Sequence, residues 1–136
     1  MLTFQALKNN KITVFGGSQV RPNIHIQDMI RVYEHFLNEN HSIKSGNYNA
    51  GFENISILQI AENISAKISS EIVITESNDP RSYRQNSDKL LSTGFIQSYS
   101  VEDAIDEIIK RYAAGELVDK DEYHTVKTMK NLDLSE

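Results

Sequence analysis

The sequence predicts a mixed fold of short strands and helices in alternation, α/β or α+β. Three observations carry that expectation. Apolar residues recur at helical spacing in three separate stretches, behind Asp28, Ser56 and Ser100. Short β-branched runs, ITVF (12–15) and EIVIT (71–75), stand between them. Glycine, asparagine or proline punctuates most junctions. At 136 residues the chain fits one modest domain, expected over 1–115, followed by a polar tail over 116–136.

Taken in order, LTFQALK (2–8) reads as the end of a helix whose beginning lies upstream, stopped by Asn9-Asn10. ITVF follows as a strand. Gly16-Gly17 turns the chain, with a hairpin turn as the expected role. QVRPNIHIQ (19–27) alternates in strand fashion through Ile24 and Ile26. Pro22 has no N–H to give a ladder, so this strand is expected at an edge or interrupted. Asp28 reads as an N-cap for a helix over 28–40, whose wide stripe of Met29, Ile30, Val32, Tyr33, Phe36 and Leu37 predicts burial. GNYNAG (46–51) reads as a short strand closed by glycine.

Ser56 caps a second helix with Ile57, Leu58, Ile60, Ala61, Ile64 and Ile68 on one side. After the strand 71–75 comes the loop NDPRSYRQNSDKL (78–90). Ser87 is expected to cap a short helix, DKLLST, that Gly94 ends. Ser100 and Asp103 form a variant capping box, with aspartate where glutamate or glutamine is usual. The helix behind them carries Val101, Ala104, Ile105, Ile108, Ile109 and Tyr112 on one face, and Gly115 closes it.

Composition narrows the function. The net charge of −5 argues against a broad basic face for nucleic acid, so any anion recognised here must be small and held by a few local cations. The absence of cysteine excludes disulfides and thiolate metal sites. No apolar run approaches the roughly 20 residues that span a bilayer, and nothing resembles a signal peptide, so a cytoplasmic protein without membrane partners is expected. The histidines at 25, 35, 41 and 124 lack HxxxH or HExxH spacing, which argues against a metal site. His25, read as lying in a strand between isoleucines, is expected to be a satisfied structural histidine. No GxGxxG, P-loop or GxSxG motif is present.

What remains is two cationic places: Arg21 after the glycine turn, and Arg81 and Arg84 on the proline loop. Arginine's planar fork matches phosphate oxygens two at a time and stays charged at any working pH. Two or three arginines from separate loops would suit a pyrophosphate, and Tyr83 could stack on a base or sugar, or pack. On charge alone, arginines paired with Asp79 and Asp88 in a solvated turn are the better reading, and the anion site the second.

The residues also resemble a family. GGSQVRPNIHIQDM (16–29) is similar to the segment G-G/D-x-Q-x-R-x-x-I-H-V-x-D of the extended short-chain dehydrogenases/reductases. YNAGFENISILQIAENI (48–64), DPRSYRQNSDKLLSTGF (79–95) and SVEDAIDEII (100–109) resemble that family's following strand and helix, late nucleotide-sugar loop and last helix. Each block alone is weak; their order and spacing, to about Tyr112, are specific. The members meant are NAD(P)-dependent nucleotide-sugar epimerases and dehydratases, with a Rossmann half for the dinucleotide and a smaller C-terminal half for the nucleotide-diphosphate sugar.

The resemblance implies that residues 1–115 are the nucleotide-sugar-binding C-terminal part. Arg21 would contact the diphosphate, Arg81 or Arg84 would be the second phosphate or ribose contact, and Tyr83 would line the nucleotide pocket. Asn49 would be structural. The family's glycine-rich fingerprint and its Tyr-x-x-x-Lys couple belong upstream. Tyr123 and Lys127, in YHTVK, repeat that spacing only after the last helix, so the match is accidental. The implied catalytic Rossmann half is thus missing. NAD(P) would belong to the intact enzyme, with none bound by this chain alone, and the chain alone would be inactive. The helix 28–40 and strand 46–50 would lean on the missing half, so a homo-oligomer is expected without it. The alternative is a non-catalytic interaction or scaffold domain that kept this fold.

Overall fold

A computed structural model of the chain describes residues 1–38, 43–79, 81–120, 128, 129 and 132. In chain order its elements are α1 (Leu2–Asn9), β1 (Lys11–Phe15), β2 (Val20–Asn23), α2 (Ile26–Asn38), β3 (Glu53–Ser56), α3 (Ile57–Ile68), β4 (Glu71–Thr75), α4 (Asp88–Leu91) and α5 (Val101–Ala113). Asn10 stops α1 by adopting φ 51°, a left-handed cap that asparagine tolerates, and its N–H closes on the Ala6 carbonyl. Asp119, in the expected tail, pairs with Lys8 on α1 at 2.6 Å. The remainder of that tail, including Tyr123, His124 and Lys127, lies mostly outside the described residues, as does His41.

The mixed α/β expectation holds, but the strands pair over long range. β1 runs parallel to β4, from Lys11 opposite Glu71 to Phe15 opposite Thr75. β2 runs antiparallel to β3, from Val20 opposite Ser56 to Asn23 opposite Glu53. Gly16-Gly17 is therefore no hairpin; it carries the chain from one two-stranded sheet to the other. The reason is its packing on the head of α3. Gly17 sits at φ 100°, and a Cβ there would lie 3.2 Å from both Leu58 Cβ and Val14 Cγ1. Its carbonyl accepts from Leu58 N at 2.9 Å, while Gln19 O accepts from Ile57 N at 3.1 Å.

Several local expectations are corrected. β2 ends at Asn23, whose side-chain amide donates to the carbonyls of Arg21 (2.8 Å) and Glu53 (3.1 Å). His25 lies outside any strand and takes the capping role expected of Asp28: its Nδ1 accepts from Gln27 N at 3.1 Å, two residues into α2. It remains a satisfied histidine, with Nε2 3.5 Å from Glu107 Oε2 and the ring stacked on Tyr99. Asp28 instead turns inward, fully buried, and its carboxylate accepts from the backbone of Ser98 and Tyr99 and from Arg31.

Residues 46–51 form no strand. They are held by side chains: Lys89 Nζ donates to Asn47 O (2.8 Å), and Asn49 Nδ2 to Asn86 O (3.3 Å). Ser87 does not cap α4 with its hydroxyl, which is spent on the N–H and C=O of Gly51; Asn86 Oδ1 accepts from Asp88 N at 2.8 Å in its place. Ser56 caps α3 through Gln59 N, and the Ser100–Asp103 box closes the start of α5, both as expected.

Two apolar clusters result. In the first, Ala6, Ile12, Val14, Ala61, Ile64 and Ile105 join α1, β1, α3 and α5, with Ile72 of β4 against them. In the second, Val32, Leu90 and Phe95 gather Ile24, Phe36, Tyr48, Ala50 and Phe52. The wide stripe of α2 is not fully buried as expected. Ile30, Tyr33 and Leu37 are exposed, because the helix packs through its other side, with Asp28, Val32, His35 and Phe36.

Candidate functional site

The candidate site is where the loop 77–87 lies along the β2–β3 sheet. Gln19, buried just before β2, is its pin. Its Oε1 accepts from Gly17 N at 2.7 Å, while its Nε2 donates to Phe15 O, Ser77 Oγ and Asp79 O at 3.1–3.3 Å. Ser82 Oγ accepts from Val20 N (3.1 Å), and Tyr83 N donates to Val20 O (3.3 Å). Further along, Asn54 imitates a strand partner, donating to Gln85 O at 3.0 Å and accepting from Gln85 N at 2.9 Å. Gly51 permits this close approach: a Cβ there would meet Gln85 Oε1 at 2.4 Å and Pro22 Cβ at 2.8 Å.

This docking brings Arg21, Arg81 and Tyr83 together. Asp79 Oδ2 receives Arg21 Nη2 at 3.3 Å, and the same carboxylate takes a two-point contact from Arg81, Nε at 2.6 Å and Nη2 at 2.9 Å. The backbone N–H of Arg81 adds a fourth donor at 3.1 Å, an Asx turn that Asp79 makes with its own loop. Arg21 Nη1 donates to the carbonyls of Val20 and Arg81, and the Arg21 guanidinium lies 4.9 Å from the centre of the Tyr83 ring. The Arg81 side-chain hydrogen bonds, its backbone N–H and the two guanidinium charges lower the Asp79 carboxyl from 3.8 to about 2. Asp79 in return raises Arg81 above its ordinary value, first through the side-chain hydrogen bond.

Arg84 is not part of the cluster. It borders a separate groove of about 450 Å³ with Asn54, Gln85 and Asn86, and its side chain makes no hydrogen bond or ion pair among the described residues. Asp88 binds the Asn86 amide at 2.8 Å rather than an arginine. Lys89 lies 4.2 Å from the centre of the Tyr48 ring and tethers the 46–51 segment. The sequence reading left Gln19 without a role and did not see Asp79 as the point on which both arginines converge. The second had a local signal, since an Asp two residues before Arg81 is the spacing of an Asx turn. The first had none, because the partners of Gln19 come from residues 77–79, far along the chain.

The only glycine pair precedes β2, and the first N–H groups of α3 are already taken by Gln19 O, Gly17 O and Ser56 Oγ. Among the described residues no three histidine or carboxylate groups gather in a way that could hold a metal ion, and no helix is long and apolar enough to cross a membrane.

No family model matches the chain. Solved structures do. The dTDP-glucose 4,6-dehydratase of Bacillus anthracis, solved in complex with NAD, superposes with a TM-score of 0.66 at 21% identity over 85% of this chain and 38% of that one. The ADP-L-glycero-D-manno-heptose-6-epimerase of Helicobacter pylori gives 0.68 at 20% identity, over 83% and 36%. An NAD-dependent NDP-hexosamine 5,6-dehydratase involved in tunicamycin biosynthesis gives 0.67 at 17% identity, over 83% and 39%. The chain thus spans well under half the length of each. These are the kinds of protein that the sequence blocks resemble. The fold of this chain is that of one portion of these solved proteins.

Proposed function

We propose that residues 1–115 are the nucleotide-diphosphate-sugar-binding part of an NAD(P)-dependent epimerase or dehydratase, with the dinucleotide bound by a Rossmann half outside these residues. The observation that carries this reading is the convergence of Arg21 and Arg81, from two loops, beside the exposed ring of Tyr83. Two guanidinium forks and an aromatic face are the chemistry that a diphosphate bearing a nucleoside needs. The solved relatives act, by their names, on dTDP-glucose, an ADP-heptose and an NDP-hexosamine, which supports a nucleotide sugar as the ligand class.

In this role the chain supplies binding energy at the diphosphate, remote from the reacting carbon, and so orients the sugar for chemistry done by other residues. Alone it has no turnover, and a cytoplasmic setting fits nucleotide-sugar metabolism. Between the two open candidates for the second contact, Arg81 lies beside Arg21, whereas Arg84 is the cation without an internal partner among the described residues.

The test is titration calorimetry with UDP, CDP, GDP and dTDP sugars. Arg21→Gln and Arg81→Gln should each weaken the preferred ligand about tenfold, a loss expected of a charge-assisted contact to phosphate. Affinity left untouched by both sinks the assignment. If Arg84→Gln alone abolishes binding, the second contact is Arg84.

A second reading, an interaction or scaffold domain, is favoured by α2. Ile26, Ile30, Tyr33 and Leu37 stand exposed along its outer side at 4-3-4 spacing, the pattern of a helix seam. Under either reading this seam takes a partner: the Rossmann half in the enzyme, or a second copy of the chain in a homo-oligomer.

A further inference from the structure

Four of the six guanidinium nitrogens of the two clustered arginines are already engaged from within the protein. Arg81 spends the Nε/Nη2 edge of its fork, the edge suited to phosphate, on one carboxylate. Arg21 spends Nη1 on two carbonyls and Nη2 on the same carboxylate. Asp79 therefore sits at a point where both forks meet one anion. Its attachment is nonetheless shallow. The Arg81 side chain is 78% exposed and that of Asp79 36%, and ion pairs so placed contribute little individually.

The backbone of the loop does not depend on this carboxylate's charge. Asp79 O is held by Gln19 and Asp79 N donates to Ser77 Oγ, so the side chain can release its cations while the loop stays docked. An amide oxygen at position 79 could still accept from Arg81 N.

We infer that Asp79 is an internal counter-anion that sets affinity at this site by competing with the phosphate oxygens of the ligand for Arg21 and Arg81. The inference rests on the proposed diphosphate reading and adds a residue that opposes binding rather than contributing to it. A dianionic or more highly charged ligand displaces the single carboxylate; a monoanion does so poorly, which makes Asp79 a filter for charge as well as a brake on affinity.

The experiment is titration calorimetry of the 136-residue chain with inorganic pyrophosphate, at low and moderate salt, for the unchanged protein, Asp79→Asn and Asp79→Asn/Arg81→Gln. Asp79→Asn is expected to bind about five- to tenfold tighter, the range of one or two released exposed ion pairs. The double variant loses that gain, and the gain shrinks as salt rises. Equal or weaker binding by Asp79→Asn overturns the inference, as does an absence of pyrophosphate binding by both proteins.

A second readout needs no variant. In the unchanged protein the Asp79 carboxyl carbon resonance moves on saturation with pyrophosphate, and a resonance that stays in place overturns the inference. The outcomes also separate it from the broader reading. Loss of nucleotide-sugar binding in Arg21→Gln with no gain in Asp79→Asn removes only the counter-anion. A gain in Asp79→Asn without nucleotide-sugar binding leaves an inorganic anion site and removes the sugar.

Discussion

The two apolar clusters of this molecule are built on different principles. In the first, Ala6, Ile12, Val14, Ala61 and Ile64 have no exposure at all, and four elements close around them. In the second, α2 buries only Asp28 and Val32, while Ile26, Tyr33 and Leu37 are more than 60% exposed. The first region is held by apolar area. The second is held by polar tethers: Asp28 to the 98–99 backbone, Ser87 to Gly51, and Lys89 to Asn47. The difference teaches that an amphipathic helix can carry two apolar sides. Here Val32 and Phe36 pack within this chain, and the 26-30-33-37 side stands exposed among the described residues.

The comparison can be broken most forcefully in the closed cluster. Ile64→Ala should lower unfolding stability by about 4 kcal/mol, read from denaturant midpoints, since neighbours on three helices cannot collapse onto the gap. In the open region the polar tether matters most. Asp28→Ala should cost about 3 kcal/mol by the same measurement, because it strands two part-buried amides and a guanidinium that meet at a fully buried carboxylate. Gly51→Ala should cost about 1–2 kcal/mol; the new methyl meets Pro22 Cβ, although the Gln85 side chain can move aside.

Changes to the outer seam sharpen the contrast from the other side. Tyr33→Ser with Leu37→Ser should alter monomer stability by less than about 0.5 kcal/mol per site, yet abolish self-association in sedimentation or scattering. A monomer for the unchanged chain would show that the seam does not bind a second copy.

The smallest effect is the response to acid. The Asp79 carboxyl titrates in the fold near 2 against an ordinary 3.8, so its stabilising contribution is complete above about pH 4 and disappears as the pH falls toward 2. Asp103, held low first by the Ser100 hydroxyl, acts in the same direction. Asp79→Asn should lower the neutral plateau of a stability-versus-pH curve slightly and so flatten its acid limb, leaving stability near pH 2 unchanged.

Much of this was legible in the sequence where the cause was local. The caps at Ser56 and Ser100, the stop at Asn10 and the strands 12–15 and 71–75 are decided by residues within a few positions of each other. The failures share a cause. Asp28 read as a cap because it stands at the head of a helix, but the backbone donors of Ser98 and Tyr99, some 70 residues along, recruit it inward. Ser87 read as a cap for the same reason and is taken by Gly51, 36 residues away. GNYNAG read as a strand, yet among the described residues no ladder partner reaches it. In the candidate site the arginines were visible from their chemistry, while their shared occupant, and the pin at Gln19 that places it, were not.

By itself the sequence determined the kinds of element, their order and the chemistry on offer: short strands, capped helices, an acidic chain with a few arginines near turns. Those follow from propensity, capping and charge, which act over a handful of residues. Tertiary structure alone decided that β1 pairs with β4 and β2 with β3, that one side of α2 is left open, and that Arg21 and Arg81 meet on Asp79. Each depends on which distant groups can be satisfied together in one packed arrangement, and short-range preference carries no information about that.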